Sequence, residues 1–108
     1  MSEIKSVLAE LIKFRDERSW GQFHTPENLT KSIIIEASEL LENFQWGPNI
    51  DDLSNIKDEV ADVFSYLLLL CDRLDIDIIE ETKRKIKVNC EKYPIEKAYG
   101  VSKKYNKL

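Results

Sequence analysis

The chain has 108 residues, of which 33% are charged and 43% hydrophobic, and its formal net charge is −4. This length favours a single domain, and three glycines with three prolines are too few for a fold rich in strands and turns. The longest apolar run, Leu67 to Cys71, is too short to span a bilayer, and no signal peptide is visible, so we expect a cytoplasmic protein.

Apolar periodicity predicts four helices in chain order. They cover approximately residues 3–18, 25–45, 51–74 and 77–93. Thr25 followed by Pro26 is typical of a helix start, since threonine caps well and proline fits the first turn. Asp77 with Glu80 three residues later is a variant of the capping box. All four predicted helices are therefore supported by period, and the second and fourth also by start signals.

Short connections between these helices predict an all-α fold, an antiparallel four-helix bundle in residues 1–94. Residues 95–108 show no clear period and are interpreted as a basic tail. The third helix is apolar around nearly its whole circumference at Leu67 to Leu70, and such a helix must be buried on all sides. We therefore expect a homodimer or homotetramer, unless the fourth helix and the tail cover this surface.

Two pairs of carboxylates stand among apolar residues on neighbouring predicted helices. Glu36 and Glu39 are three residues apart, as are Glu59 and Asp62, so each pair shares one helical face. Two such pairs brought together would repel strongly unless they were neutralised, and a divalent cation such as Mg²⁺ does this with oxygen ligands. Ordinary solvated acids remain the alternative. A di-iron site is disfavoured because His24 is the only histidine.

Aromatic side chains flank the second helix. Trp20, Phe23 and His24 precede it, and Trp46 follows it. Aromatic faces stack on nucleobases, at about 1–3 kcal/mol per base. For the tryptophans, stacking and packing across the helix ends explain the pattern equally well, whereas packing is the preferred explanation for Phe23 and Phe44.

Lys85, Asn89 and Lys92 lie at i, i+4 and i+7 of the fourth helix and so share a face that suits phosphate.

Residues 1–81 carry 7 basic and 18 acidic side chains, a net of −11, whereas residues 82–108 carry 9 and 2, a net of +7. A cation and a polyanion bound together would suit this division, although a solvated basic end explains it too. The acidic body disfavours a nucleic acid polymer as partner.

Taken in order, these pieces resemble the MazG-like nucleoside triphosphate pyrophosphohydrolases, including their dCTP pyrophosphatase branch. The resemblance covers residues from about Arg18 to Pro94. Its four motifs are Trp20-x-x-Phe23-His24-x-Pro26-x-Asn28-Leu29, Glu36-x-x-Glu39-Leu40 leading to Phe44-Gln45-Trp46, Glu59-x-x-Asp62-x-x-x-Tyr66, and Lys85-x-x-x-Asn89-x-x-Lys92-Tyr93-Pro94.

The resemblance implies Mg²⁺-dependent hydrolysis between the α and β phosphates, with Mn²⁺ as a possible substitute, giving a nucleoside monophosphate and pyrophosphate. It also implies roles for single residues, which fall into three groups. The metal ligands would be Glu36, Glu39, Glu59 and Asp62. The base pocket would contain Trp20, His24 and Trp46, and Tyr66 would lie near the sugar or a phosphate. The phosphates would be held by Lys85, Asn89 and Lys92.

One position departs from the pattern, since cytosine-selective relatives tend to carry a histidine where Leu11 stands, nine residues before Trp20. The preferred base is therefore open. Two alternatives stay beside the pyrophosphohydrolase: a non-catalytic helical dimer that serves as an interaction module, and a related activity such as dUTP or phosphoribosyl-ATP hydrolysis.

Overall fold

The computed structural model describes residues 2–108. The helices are α1 (Glu3–Glu17), α2 (Pro26–Glu42), α3 (Leu53–Arg73), α4 (Ile78–Lys92) and the short α5 (Ile95–Ala98), and single 3₁₀ turns cover Gly21–Phe23 and Tyr105–Lys107. Residues 2–108 contain no strand, so the predicted all-α class is confirmed. Within the same residues, none of the helices combines the length and apolarity needed to cross a bilayer.

The chain divides into two compact units, the first ending at Ile76 and the second beginning at Asp77. The first unit contains α1, α2 and α3, and the second contains α4 and α5. The division into residues 1–94 and 95–108 stays a prediction. No helix is predicted in the tail, yet α5 and a 3₁₀ turn form there. They were missed because a helix of four residues is about one turn and shows no period.

The N-terminal ends of the helices follow the expected capping chemistry. The Thr25 hydroxyl accepts a hydrogen bond from the backbone N–H of Asn28 at 3.1 Å. Asp77 accepts from the N–H groups of Ile79 and Glu80, both at 3.1 Å, and so caps α4 as predicted. Each acceptor satisfies an N–H group that has no partner within the helix, which fixes where the helix starts.

Helices α1 and α3 end in the same way, with a non-glycine residue in the left-handed region. Ser19 has a φ of 54° and Asp75 a φ of 55°. The N–H of Trp20 donates to the Arg15 carbonyl at 3.0 Å and that of Ser19 to the Asp16 carbonyl at 3.1 Å, which is the Schellman arrangement. This ending turns the chain directly before Trp20. It therefore determines where the segment from Trp20 to His24, which connects α1 to α2, begins.

The core of the first unit lies where α3 packs along α2 and against α1. Its buried apolar side chains are Leu29, Leu68, Leu69 and Cys71. Cys71 is a buried free thiol. The core is small, and many large apolar side chains of α2 and α3 are instead exposed, among them Ile34 at 62% and Leu41 at 67%.

The burial of Leu29 predicts a large loss of stability on truncation. Leu29 is 1% exposed, so Leu29→Ala removes buried methyl groups and leaves a cavity. We expect the free energy of unfolding to fall by about 3 kcal/mol, measured by urea denaturation. Leu53→Ala is the matched control because Leu53 is 54% exposed, and a loss as large as that of Leu29→Ala would contradict the described core.

Candidate active site

The four predicted carboxylates come together where α2 and α3 lie side by side. Glu36, Glu59 and Asp62 each offer one oxygen, and these oxygens all lie within 4.8 Å of one another. Glu39 lies next to this group, close enough to Glu36 and Glu59 for its carboxyl group to share a proton with theirs. We call Glu36, Glu39, Glu59 and Asp62 the carboxylate cluster. Helical spacing and the pairing of two helices suffice to form it.

Two oxygens of the cluster are buried without a donor. Glu36 Oε2 and Glu59 Oε2 are both inaccessible to solvent and have no hydrogen-bond partner among the described residues. Burial, followed by the neighbouring Glu39 and Asp62, raises the pKa of Glu36 to about 7. Burial and Glu39 also raise the pKa of Glu59. The arrangement therefore disfavours four bare negative charges and favours either shared protons or a cation.

A hard divalent cation fits the donor set. The cluster offers only carboxylate oxygens, which are the ligands that Mg²⁺, Ca²⁺ and Mn²⁺ prefer over softer metals. The orphaned oxygens of Glu36 and Glu59 would gain the partner that each lacks. Asp62 is exposed, so one side of the cluster faces solvent or a ligand. The residues of the cluster thus fit a cation that keeps positions free for water or substrate.

A cavity of about 220 Å³ adjoins the cluster and contains Asp62 in its wall. The rest of its wall is mostly apolar and aromatic; it includes Leu11, Phe14, Trp20, His24, Tyr66 and Leu69. We call this cavity the aromatic pocket. A flat apolar wall with a few polar groups and a carboxylate at one end is typical of a small-molecule site.

The segment that carries Trp20 and His24 is attached to the helices on both sides. The Asn28 side chain donates to the Phe23 carbonyl at 2.9 Å, which attaches the segment to α2. Arg73 of α3 donates to the Gly21 carbonyl at 3.3 Å. The Trp20 ring packs edge-on against Phe14 with ring centres 5.7 Å apart. These contacts hold one aromatic wall of the pocket in place.

His24 and Tyr66 are neighbouring polar side chains in the wall of the aromatic pocket. Their rings pack edge-on, with centres 6.4 Å apart. Burial, then Arg15 and Arg73, lower the pKa of His24, so the ring is neutral at neutral pH. Burial, then Glu36, Asp62 and Glu39, raise the pKa of Tyr66, so its phenol stays protonated. The pocket therefore presents neutral, flat groups beside the charged cluster.

A second cavity, of about 320 Å³, adjoins the cluster through Glu39 and Glu59. Its other lining residues are Glu42, Asn43 and Asn55, so it is polar. Asn43 donates to the Asn55 side chain at 3.0 Å and joins the end of α2 to the beginning of α3. The sequence interpretation missed these asparagines, because single amides near helix ends carry no periodic signal.

The sequence interpretation also missed Arg15, which lines the aromatic pocket. Its position was available from the sequence, since Arg15 is four residues after Leu11 and therefore on the same face of α1. Trp46, by contrast, is 92% exposed after the end of α2 and is not in the wall of this pocket. Its role as a base-pocket residue stays a prediction.

The predicted phosphate ligands belong to the second unit. Lys85 and Asn89 are exposed on α4 and line a surface depression of about 380 Å³ together with Arg84. Lys92 stands over the Tyr105 ring, with its Nζ 4.8 Å from the ring centre. All three side chains are therefore on α4 as the spacing indicates, and their binding of phosphate stays a prediction.

Comparison with known proteins places this geometry in a family. The model of the MazG-like family matches residues 31–108. The human protein dCTP pyrophosphatase 1 is 33% identical over an alignment that covers the whole of this chain and 67% of that protein, and the mouse protein of the same name is 32% identical over the same shares. The chain belongs to the MazG-like family, and the resemblance in its motifs is confirmed.

A solved structure supports the same fold. A pyrophosphatase from Archaeoglobus fulgidus matches with a TM-score of 0.82 and 43% sequence identity, over 87% of this chain and 94% of that one. The all-helical arrangement of the present chain is thus similar to that of a known pyrophosphatase.

The raised pKa of Glu36 predicts how the metal-free protein responds to pH. Folding favours the protonated carboxyl group, so its contribution to stability is present below the ordinary value of 4.5 and is lost as the pH rises to about 7. Glu36→Gln resembles the protonated form. In EDTA we expect this variant to gain melting temperature over the unmodified protein as the pH rises through that window, measured by differential scanning calorimetry.

Glu10→Gln on the exposed surface of α1 removes one charge elsewhere and serves as the control. Its difference from the unmodified protein should change little over the same pH window. If the melting-temperature differences of the two variants followed the same pH dependence, Glu36 would not be the group responsible.

Proposed function

We propose that the chain is a metal-dependent nucleoside triphosphate pyrophosphohydrolase, which cleaves between the α and β phosphates and releases a nucleoside monophosphate and pyrophosphate. The observation that carries the proposal is the carboxylate cluster with its two orphaned oxygens beside an aromatic pocket. Relatives named dCTP pyrophosphatase and a similar structure named pyrophosphatase support the reaction class. Removal of unwanted nucleotides from the cellular pool, in the cytoplasm, is the role we favour.

The proposed cofactor is Mg²⁺, with Mn²⁺ as a possible substitute. Glu36, Glu39, Glu59 and Asp62 are the proposed ligands, because they supply carboxylate oxygens only. Oxygens of Glu36, Glu59 and Asp62 lie within 4.8 Å of one another, and Glu39 lines a cavity together with Glu59. When bound, the metal neutralises charge on the phosphoryl oxygens and lowers the pKa of a bound water. The carboxylates orient the attacking water, and one of the four takes its proton.

The aromatic pocket is the proposed base site. Trp20 offers a face for stacking, and its position is fixed by the helix end before it and by Phe14. Neutral His24 and the protonated Tyr66 phenol offer hydrogen bonds without adding charge. Because Asp62 belongs both to this pocket and to the cluster, a base bound here brings its phosphates towards the carboxylates. Lys85, Asn89 and Lys92 are the proposed phosphate ligands.

A non-catalytic interaction module is less consistent with the site. Acids that only keep a protein dissolved are exposed, whereas Glu36 and Glu59 each bury an oxygen without a partner. Such burial destabilises the fold unless another group compensates for it. A bound cation compensates, and the burial then serves a function.

The carboxylate cluster predicts a sharp effect of isosteric neutral substitutions. Glu39→Gln and Asp62→Asn keep shape but remove a metal ligand, so we expect pyrophosphate release from dCTP to fall at least about a hundredfold. In the unmodified protein Mg²⁺ at a hundred times its Kd should add about 3 kcal/mol to the free energy of unfolding. Coupled pyrophosphate detection and calorimetry measure the two effects.

The control is again Glu10→Gln, which should keep full turnover and the full stabilisation by Mg²⁺. Undiminished Mg²⁺-dependent turnover in Glu39→Gln or Asp62→Asn would contradict the ligand assignment. Folded protein that releases no pyrophosphate from any common or modified nucleoside triphosphate would contradict the proposed activity itself.

We also propose that the chain assembles as a homodimer or homotetramer. The support is the exposure of large apolar side chains on α2 and α3, including Ile34, Ile35 and Phe64 at 62%, 56% and 41%. Contiguous exposed apolar surface is unusual on a monomer and marks interfaces.

Light scattering after size exclusion should therefore give a mass that is a multiple of 12.6 kDa. Ile34→Asp places a charge in the apolar surface of α2 and should shift the mass downwards, whereas Lys31→Asp, one turn earlier and already charged, should not. A monomeric mass for the unmodified protein at micromolar concentration would contradict the assembly.

A further inference from the structure

Helix α1 brings a single hydrogen-bonding side chain to the aromatic pocket. Leu11, Phe14 and Arg15 all line it, which follows from their spacing of three and four residues on one helical face. Leu11 and Phe14 are apolar, so only Arg15 can form hydrogen bonds with a ligand from this side. Its side chain is 15% exposed, which is low for an arginine.

The Arg15 side chain is held by two carboxylates and lies against Gly21. Its Nε donates to Asp16 Oδ1 at 2.9 Å, and its Nη1 lies 3.9 Å from Asp72 Oδ2. Its stem lies against Gly21, where an added Cβ would be 3.4 Å from Arg15 Nε and 3.7 Å from Cδ. The Arg15 side chain therefore lies close to the Gly21 backbone, at about the distance of ordinary van der Waals contact from an added Cβ.

Donor capacity remains on the guanidinium after these contacts. Within residues 2–108, Nε makes the only hydrogen bond of this side chain, so the Nη1 and Nη2 groups retain N–H donors. Among the other polar groups of the wall, the Ser65 hydroxyl already donates to the Ala61 carbonyl at 2.8 Å. Arg15 is thus a positioned group that only donates.

We propose that Arg15 selects the nucleobase in the aromatic pocket by donating to a base edge that presents two neighbouring acceptors. Cytosine has such an edge in N3 and O2, and guanine has one in O6 and N7. A guanidinium donates to two adjacent acceptors at once, which gives both attraction and orientation. This inference rests on the proposed function, since it concerns the base of the nucleotide that the site hydrolyses.

The same chemistry disfavours the other common bases. Adenine places an amino donor beside N7 and beside N1, and thymine and uracil place an N–H donor between their two carbonyl groups. A fixed donor facing another donor leaves both unpaired in a desolvated pocket, which costs binding free energy. Arg15 therefore discriminates by repelling adenine, thymine and uracil as well as by attracting cytosine or guanine.

The test compares Arg15→Gln and Arg15→Lys with the unmodified protein on dCTP, dGTP, dATP and dTTP in the presence of Mg²⁺. Arg18→Gln is the matched control: it removes the same charge three residues later, and Arg18 lies over the Phe14 ring at 3.7 Å without lining the pocket. The readouts are kcat/KM for each nucleotide and binding of the four α,β-methylene analogues, which do not turn over, by tryptophan fluorescence.

We expect the unmodified protein to prefer dCTP or dGTP over dATP and dTTP. The kcat/KM values show which of the two preferred nucleotides it is. Arg15→Gln should lower that preference about tenfold, mainly by raising KM for the preferred nucleotide, and should lower the preference in analogue binding equally. Arg15→Lys should fall between, because an ammonium group does not donate to two acceptors in one plane. Arg18→Gln should leave the preference unchanged.

An equal fall in kcat/KM for all four nucleotides in Arg15→Gln would show a purely structural role and overturn the proposal. A preference of the unmodified protein for dATP or dTTP would overturn it as well. Absence of hydrolysis together with selective analogue binding that depends on Arg15 would refute the proposed activity but support this inference. Absence of both hydrolysis and analogue binding would refute both proposals.

Discussion

The contact between α2 and α3 is the constraint on which the first unit depends. The same two helices that supply the buried Leu29, Leu68 and Leu69 also bring Glu36 and Glu59 face to face. The apolar side chains favour close packing, and close packing forces negative charges together in a region where each buries an oxygen. Hydrophobic burial thus holds the acids in a geometry that they would not adopt alone, and a cation or shared protons relieve the repulsion.

Two cavities of different character adjoin the carboxylate cluster. Asp62 faces the aromatic pocket, and Glu39 with Glu59 faces the polar cavity that Asn43 and Asn55 close. A flat apolar group of a ligand suits the aromatic pocket, and solvated groups suit the polar cavity. The site follows from the same helix pairing as the core.

The features that the sequence predicts well are those whose residues recur with the period of an α-helix. Glu36 with Glu39 and Glu59 with Asp62 could be found because i,i+3 spacing determines a shared face whatever the partner helix is. The C-terminal ends of α1 and α3 were predicted to within one residue. The left-handed conformation that follows each end could not be predicted, since Ser19 and Asp75 stand where glycine is the usual signal. The small core was also not evident from sequence, because periodicity shows which side chains are apolar but not which of them become buried within the chain.

The wall of the aromatic pocket contains charged side chains of both signs, Arg15 and Asp62. Burial, and then Arg15 and Arg73, lower the pKa of the His24 ring, whereas burial, and then Glu36, Asp62 and Glu39, raise the pKa of Tyr66. Both rings are consequently neutral at neutral pH, although charged groups stand on either side of them. A neutral base can therefore enter between a cationic and an anionic end without displacing charge, and its orientation is then decided by which of its edges meets Arg15. Under the proposed function the carboxylates hold the phosphate end through a metal, which leaves Arg15 to contact the base.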